Sequence, residues 1–288
     1  MKKSTVQHLR VPFSFFLMPV FLFALAVAPE ENTFMEALSV FIVLHILVYP
    51  ASNGYNSFFD KDEGSIGGLK APPKVTKELY AVSLLLDVIA ISWSAFISLP
   101  FAFMVLIYGL ISKAYSHPSI RLKRYPIIGW LTIGVFQGFF TVWMSLVGLG
   151  TSWLEFFDQP LLIYASVLAS FLLLGSYPMT QVYQHEEDAE RGDHTISLKL
   201  GILGTFHFTA ILFFFSSIGY MWFFRRYYAL THVFLFLAFL APVLLFFGYW
   251  YLQVRKDRTA ADFERTMKLN VISSTCLNLF FAYLAFVS

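Results

Sequence analysis

The sequence predicts an all-α membrane protein. Nine transmembrane helices form two similar half-bundles around a central cavity, with the functional end on the cytoplasmic side. Three observations carry this: a composition rich in apolar residues, nine long apolar runs with one-sided basic connections, and an internal repeat. Of 288 residues, 58% are hydrophobic and 13% charged, against roughly 45–50% and about 25% in soluble domains. That excludes a soluble enzyme, a disordered chain, a collagen-like fibre and a disulfide scaffold. The single cysteine, Cys276, says nothing about compartment. A net charge of +2 is too small to suggest a nucleic-acid partner. The 34 Phe residues suit lipid-facing surface or a pocket for a long apolar molecule.

A bilayer core takes about 20 mostly apolar residues per helix. Nine stretches qualify: 12–28, 34–56, 79–98, 101–116, 127–148, 160–180, 205–223, 229–253 and 268–288. Their runs are continuous rather than alternating, which excludes a β-barrel. The first follows Lys2, Lys3 and Arg10 and carries Ala26-Val27-Ala28, as a cleavable leader does. Its apolar run is longer than a leader's and Pro29 follows, so it reads as a retained helix. With the N-terminus placed in the cytoplasm, 18 of the 20 basic residues fall on the inside, and only Arg225 and Arg226 outside. Glu30, Glu31, Glu155 and Asp158 lie on outside loops. The inside connections 57–78 and 181–203 are long and polar, so chemistry is expected there. The chain reads as one domain, 1–288.

The repeat marks the site. Residues 49–64 and 177–192 align at an offset of 128, with five of sixteen positions identical: Tyr49/Tyr177, Pro50/Pro178, Tyr55/Tyr183, Asp60/Asp188 and Gly64/Gly192. Asn53, Asn56 and Asp60 stand at i, i+3 and i+7, one helix face, and Gln181, Gln184 and Asp188 repeat the spacing. Polar faces at membrane depth are costly unless they line a cavity. Asp60, Asp62 and Glu63 would face Glu186, Glu187 and Asp188. Clustered carboxylates repel unless a hard cation such as Mg²⁺ joins them, usually together with substrate phosphates. Lys61, Lys70, Lys74, Lys113, Arg121, Lys123, Arg124 and Arg191 flank both clusters, which fits a metal-bound diphosphate. A solvated loop with surface ion pairs is the plainer reading of any one of these residues, but it gives no reason for a copied polar helix face. Among other residues, Asp87 reads as bonded to a neighbouring helix and His45 as a core histidine.

These motifs resemble those of the UbiA-type intramembrane prenyltransferases, nine-helix membrane enzymes with two Asp-rich motifs. The first family motif reads N-D-x-x-D-x-x-x-D. Asn56 and Asp60 match it, while Ser57 and Gly64 stand at its other Asp positions. The second reads D-x-x-x-D-x-x-x-G-x-x-T. Asp188, Gly192 and Thr195 match, and Gln184 replaces the first Asp. The segment Tyr115–Arg124 with Ile128-Gly129 is similar to the chlorophyll synthase and geranylgeranylglyceryl phosphate synthase branches, although Trp130 stands where those branches carry Asn.

The resemblance implies Mg²⁺-dependent transfer of a prenyl group from an isoprenyl diphosphate to an aromatic or other lipophilic acceptor, with membrane lipid as the other partner. It implies a multi-pass protein of a bacterial inner membrane. Metal would be held by Asp60, Asp62, Glu63, Glu187 and Asp188. Catalysis would fall to Asn56, Asp60, Asp188 and Tyr183, with Tyr55 and Tyr108 also near the developing cation. Diphosphate would be gripped by Lys70, Lys74, Lys113, Arg121, Lys123 and Gln184, under a lid hinged at Gly64, Gly67 and Gly68. The rival readings are a secondary transporter of an anion and a catalytically inactive relative.

Overall fold

The computed structural model describes residues 1–28, 33–61 and 63–286. Asp62, Glu30, Glu31, Pro29 and the last two residues of the ninth expected span lie outside the described residues. Among the described residues there is no strand, only an isolated bridge between Ile66 and Leu69. Among the described residues eight helices are long and apolar enough to cross a membrane, and a bent pair brings the number to as many as nine. We number them in chain order. The bent pair Lys3–Phe16 and Met18–Val27 is α1; α2 is Phe34–Asp60, α3 Lys77–Ile97, α4 Leu99–Ser116 and α5 Pro126–Gly148. Then α6 is Pro160–Gln181, α7 Ile196–Tyr227, α8 Leu230–Lys256 and α9 Phe263–Phe286. The chain is thus a multi-pass integral membrane protein.

Local chemistry explains the helix breaks. α1 bends by 45° just ahead of Pro19, whose missing N–H cannot continue the first arm. α2 opens with a reciprocal capping box: Glu36 accepts from the Thr33 amide at 2.8 Å while the Thr33 side chain accepts from the Glu36 amide. Glu36 therefore caps the first turn of α2. Within α2 the turns Ile42–Val48 widen to π-helix just before Pro50, which lacks the donor an α-helix would need there. α5 has a second π segment, Gly134–Phe140. There Gly138 leaves room for α6: a Cβ on it would lie 2.5 Å from the Ser170 Cα. The Ser170 hydroxyl in turn accepts from the Phe139 amide at 2.9 Å. Such close approach of small residues holds membrane helices together where no hydrophobic drive exists.

Among the described residues there are three buried cores: a smaller one packs Met179, Phe206, Val243 and Trp250 together, and two larger ones set the half-bundles. One buries Val43, Leu44, Tyr49, Ala90, Phe101 and Tyr108 of α2–α4. The other buries Leu168, Phe223, Phe224, Phe236, Phe280 and Phe281 of α6–α9. The second arm of α1 and the far end of α5 contribute to both, so the expected half-bundles meet along these two helices. Phe serves both surfaces: Phe23 is 1% exposed in the core and Phe96 is 91% exposed on the outside. The seventh span begins earlier than the expected 205, at Ile196, with a non-helical Gly201 (φ +69°) inside it.

The second repeat copy differs from the first. α2 runs unbroken to Asp60, so Asn53, Asn56 and Asp60 do share a helix. The corresponding end of α6 tightens to 3₁₀ over Tyr177–Gln181 at Pro178 and stops. A separate short helix, His185–Glu190, carries Asp188. Gln181, Gln184 and Asp188 therefore do not share one continuous helix face. The proline that distorts α2 upstream ends α6.

Candidate active site

A cavity of ≈ 230 Å³ opens among the polar ends of α2, α4, α5 and α6, and both repeat copies reach it. From the first copy come Asn53, Asn56 and Asp60; from the second come Gln181, Tyr183, Gln184 and Asp188. Asn56 is oriented by the Ser116 hydroxyl, which donates to its Oδ1 at 2.5 Å. Gln184 donates to the Ser65 carbonyl at 3.1 Å. The Tyr115 and Tyr177 hydroxyls bond to each other deeper in the cavity, and Gln181 Nε2 donates to Tyr177 Oη at 3.0 Å.

Asp60 is buried in a network of two acids and two bases. Lys123 Nζ bonds to Asp60 Oδ2, and Arg121 Nη1 lies 3.4 Å from Asp60 Oδ1. Arg121 makes a two-pronged pair with Asp193, Nε to Oδ1 and Nη2 to Oδ2, each 2.7 Å. Lys123 also lies 3.7 Å from Asp193 Oδ2. The bases come from the turn after α4, where Arg121 adopts a left-handed φ of +46°. Gly129 on α5 lets that turn sit close, since a Cβ there would be 3.0 Å from the Lys123 Cα. Asp193 comes from the turn before α7. Its neighbour Gly192 has φ +71°, which favours glycine.

The second motif also has a local logic. Thr195 caps α7, accepting from the Leu198 amide at 3.3 Å, and donates its hydroxyl to Asp188 Oδ2 at 3.3 Å. Among the described residues no base bonds directly to Asp188. Burial pushes its carboxyl up to about 7; Lys123 opposes that rise and Asp193 adds to it. Burial also lowers His185, which is bonded to Ser197 Oγ at 2.7 Å.

Other expected residues sit elsewhere. Glu63 is exposed, and Glu187 pairs with Arg191 and approaches the Gly64 amide at 3.4 Å. Lys70 pairs with Glu264 at the start of α9, both side chains 70% exposed. Lys74 is exposed and offers only its carbonyl, to Ser4 Oγ at 2.6 Å. Lys113 pairs with Asp87 across α3 and α4 and lies over the Tyr55 ring at 5.3 Å. The expected neighbour-helix bond of Asp87 is therefore an ion pair. His45 is packed against Phe21, Phe41 and Tyr49. The glycine strap folds over the cavity, with Ile66 and Gly67 lining it. Gly67 is glycine because Phe13 of α1 would stand 2.7 Å from a Cβ.

Sequence reasoning missed Asp193 and Arg10. Arg10 lines the cavity, donating to the Gly67 carbonyl at 3.1 Å and Asn53 Oδ1 at 3.3 Å. The signal for Asp193 was its place inside the second motif, between Gly192 and Thr195. Among the described residues no group of three or more His, Cys, Asp or Glu could hold a metal by itself. The oxygen ligands on the cavity include the Asp60 and Asp188 carboxylates and the Asn56 and Gln184 amides, while the Asp193 carboxylate there is taken by Arg121. This hard, sparse set fits a small cation that takes most of its ligands from phosphate and water.

The UbiA prenyltransferase family profile matches residues 16–272. The chain belongs to that family. Solved structures of the same fold include a UbiA homologue from Archaeoglobus fulgidus bound to DMAPP and Mg²⁺, at 16% identity and a TM-score of 0.71, covering 99% of this chain and 100% of that one. The apo structure of a UbiA homologue from Aeropyrum pernix K1 is similar at 17% identity and TM-score 0.71, with 94% and 97% covered. A digeranylgeranylglyceryl phosphate synthase structure matches at 18% identity and TM-score 0.62, with 98% of each chain covered. No curated protein sequence matches. The two motif segments of this chain bring Asp60 and Asp188 to the cavity, with Ser57, Gly64 and Gln184 at the three remaining aspartate positions of the motifs.

Proposed function

We propose that this chain transfers a prenyl group from an isoprenyl diphosphate to a lipophilic acceptor, at the cytoplasmic side of the membrane, as a single UbiA-like domain. The observation that carries the reading is that Asp60 and Asp188, repeat partners 128 residues apart, meet on one cavity that also holds Lys123 and runs on into an apolar arm. The relatives bound to DMAPP or GPP with Mg²⁺ support the substrate class and the metal.

Asp60 and Asp188 would hold Mg²⁺, with Asn56 and Gln184 bonded to its water shell or to diphosphate. The metal's contribution when bound is to neutralise the leaving diphosphate. The chain's own residues do the rest. Lys123 and Arg191 line the cavity and donate to diphosphate oxygens. Arg121, clamped by Asp193, fixes the turn that aims Lys123. The allylic C–O bond breaks with its electron pair leaving on diphosphate. Tyr108 and Tyr183 offer ring faces to the cation, each worth up to about 2 kcal/mol when desolvated. The acceptor then forms the new bond to C1 and releases a proton. The acceptor is an aromatic ring or another lipophilic nucleophile, of quinone, tetrapyrrole or lipid type.

The test uses purified protein in detergent with geranyl diphosphate and Mg²⁺, reading diphosphate release. Asp60→Ala and Asp188→Ala are each expected to lose on the order of 100-fold or more. Full release by either variant would refute the assignment of these carboxylates.

A further inference from the structure

A second cavity lies on the outer flank of the charge network. It measures ≈ 360 Å³ and is walled by the turn before α5 and the turn before α7. Its basic side chains are Arg121, Arg124, Arg191 and His194, against one carboxylate, Asp193. Asp193 and Arg191 also line the active-site cavity, so they stand between the two spaces. The two turns are stitched together, because the His194 amide donates to the Arg124 carbonyl at 3.2 Å. Gly192, on the same wall, has φ +71° and open space where a Cβ would stand, so no side chain fills the cavity there.

The charges in this cavity are unequally used. Asp193 is taken by Arg121, and Arg191 pairs with Glu187. Arg124 is exposed and has no acidic partner among the described residues; its guanidinium lies over the Tyr125 ring at 4.9 Å. The His194 side chain is exposed as well. Neither side chain has a part in the Arg121–Asp193 clamp or in the proposed transfer. A concave site with a surplus of basic groups draws an anion.

The surroundings say which anion. Immediately past the cavity, α5 turns its side chains to lipid: Ile127, Ile128, Leu131 and Val135 are 42–52% exposed. Ile128 and Leu131 share a face at i and i+3, and Val135 prolongs it. Trp130 ties this helix to its neighbours, donating to the Leu174 carbonyl of α6 at 2.8 Å and meeting the Phe208 ring of α7 at 5.3 Å. Tyr125, 41% exposed, stands between the basic cavity and the apolar stripe, as aromatic rings do at a membrane surface. Basic cavity, aromatic ring and apolar stripe follow one another in the order of phosphate, glycerol and chain in a phospholipid.

We infer that this cavity seats the phosphate of an anionic phospholipid from the adjacent leaflet, held by Arg124 and His194, with an acyl chain along Ile128, Leu131 and Val135. The seat lies outside the prenyl diphosphate cavity and stands or falls independently of that reading. Free phosphate shares the headgroup chemistry but not the chain.

The test incubates the full-length protein in detergent with an equimolar mixture of phosphatidylglycerol and phosphatidylcholine, repurifies it and counts retained lipids by mass spectrometry. Wild type should retain phosphatidylglycerol over phosphatidylcholine at least about fivefold, the worth of one interfacial cation. The double variant Arg124→Gln with His194→Gln should lose that preference, and Arg124→Lys, which keeps the charge, should keep most of it. Arg255→Gln removes another exposed arginine set over a tyrosine ring, Tyr251 at 5.9 Å, but away from the cavity, and should change nothing. Inorganic phosphate should leave the retained phosphatidylglycerol in place. Equal retention of the two lipids by wild type, or an unchanged preference in the double variant, overturns the lipid seat. Displacement by inorganic phosphate overturns it too, in favour of a pocket for a free anion.

Discussion

Replacing Asp193 by Asn tests the charge network on which the site is built. Asp193 is 1% exposed and receives two 2.7 Å bonds from Arg121. Hydrogen bonds to charged groups contribute about 1.5–3 kcal/mol each. Asparagine keeps one acceptor oxygen but turns an NH₂ group toward the guanidinium. One bond is lost, the other weakened, and Arg121 and Lys123 are left to share Asp60. Arg121 and Lys123 are only 15% and 12% exposed, so solvent does little to replace the lost partner. The expected cost is about 3 kcal/mol, the low end of what breaking a buried pair costs. Denaturant unfolding in mixed micelles reads it. A cycle with Arg121→Met should return a coupling of about 2 kcal/mol. If Asp193→Asn is as stable as wild type, or the coupling is near zero, the network is not what holds the Arg121–Lys123 turn in place.

Other predictions follow from single contacts. Lys123→Ala should weaken Mg²⁺-dependent binding of geranyl diphosphate at least about tenfold, while Lys70→Ala, turned outward to Glu264, should leave it unchanged; titration calorimetry compares the two. Gly138→Ala should cost about 1–3 kcal/mol, because its Cβ meets the Ser170 backbone, whereas Gly134→Ala meets the Leu174 side chain, which can turn away, and should cost less; thermal melts rank them. Asp188 has a folded-state pKa near 7, above its ordinary value of 3.8, so in metal-free buffer its burial penalises the folded state increasingly as pH rises between those values. Asp188→Asn should therefore melt above wild type at pH 8 and lose most of that advantage by pH 5. A variant that never melts higher would contradict a buried, unpaired Asp188.

The sequence carried the membrane class and the meeting of the repeat copies, because both depend on residue type and spacing. Apolar runs must become helices in lipid, and Asp60 and Asp188 stand at equivalent helix ends. Side-chain direction was not legible. Lys113 reads as a diphosphate ligand by its nearness to the loop, yet Asp87 on the neighbouring helix captures it. Lys70 belongs to the lid by position, yet Glu264, 194 residues away, draws it outward. Such captures depend on helix rotation, which a continuous apolar run does not specify. The break at Pro178 was half visible: Pro50 and Pro178 are aligned, but one lies inside a continuous helix and the other ends its helix. Asp193 was passed over because it has no counterpart in the first repeat copy, so comparing the copies could not reveal it.

The charge network also has an order in time. Asp60, Arg121 and Lys123 are made and inserted with the first half of the chain, but the acid that clamps Arg121 is 72 residues further on, at the threshold of α7. Without the seventh helix, Arg121 and Lys123 would have only the Asp60 carboxylate between them. The arrival of Asp193 balances that charge. A chain that ended after its sixth span would lack the clamp on Arg121. The same four residues that shape the pocket thereby tie the first half of the chain to the second.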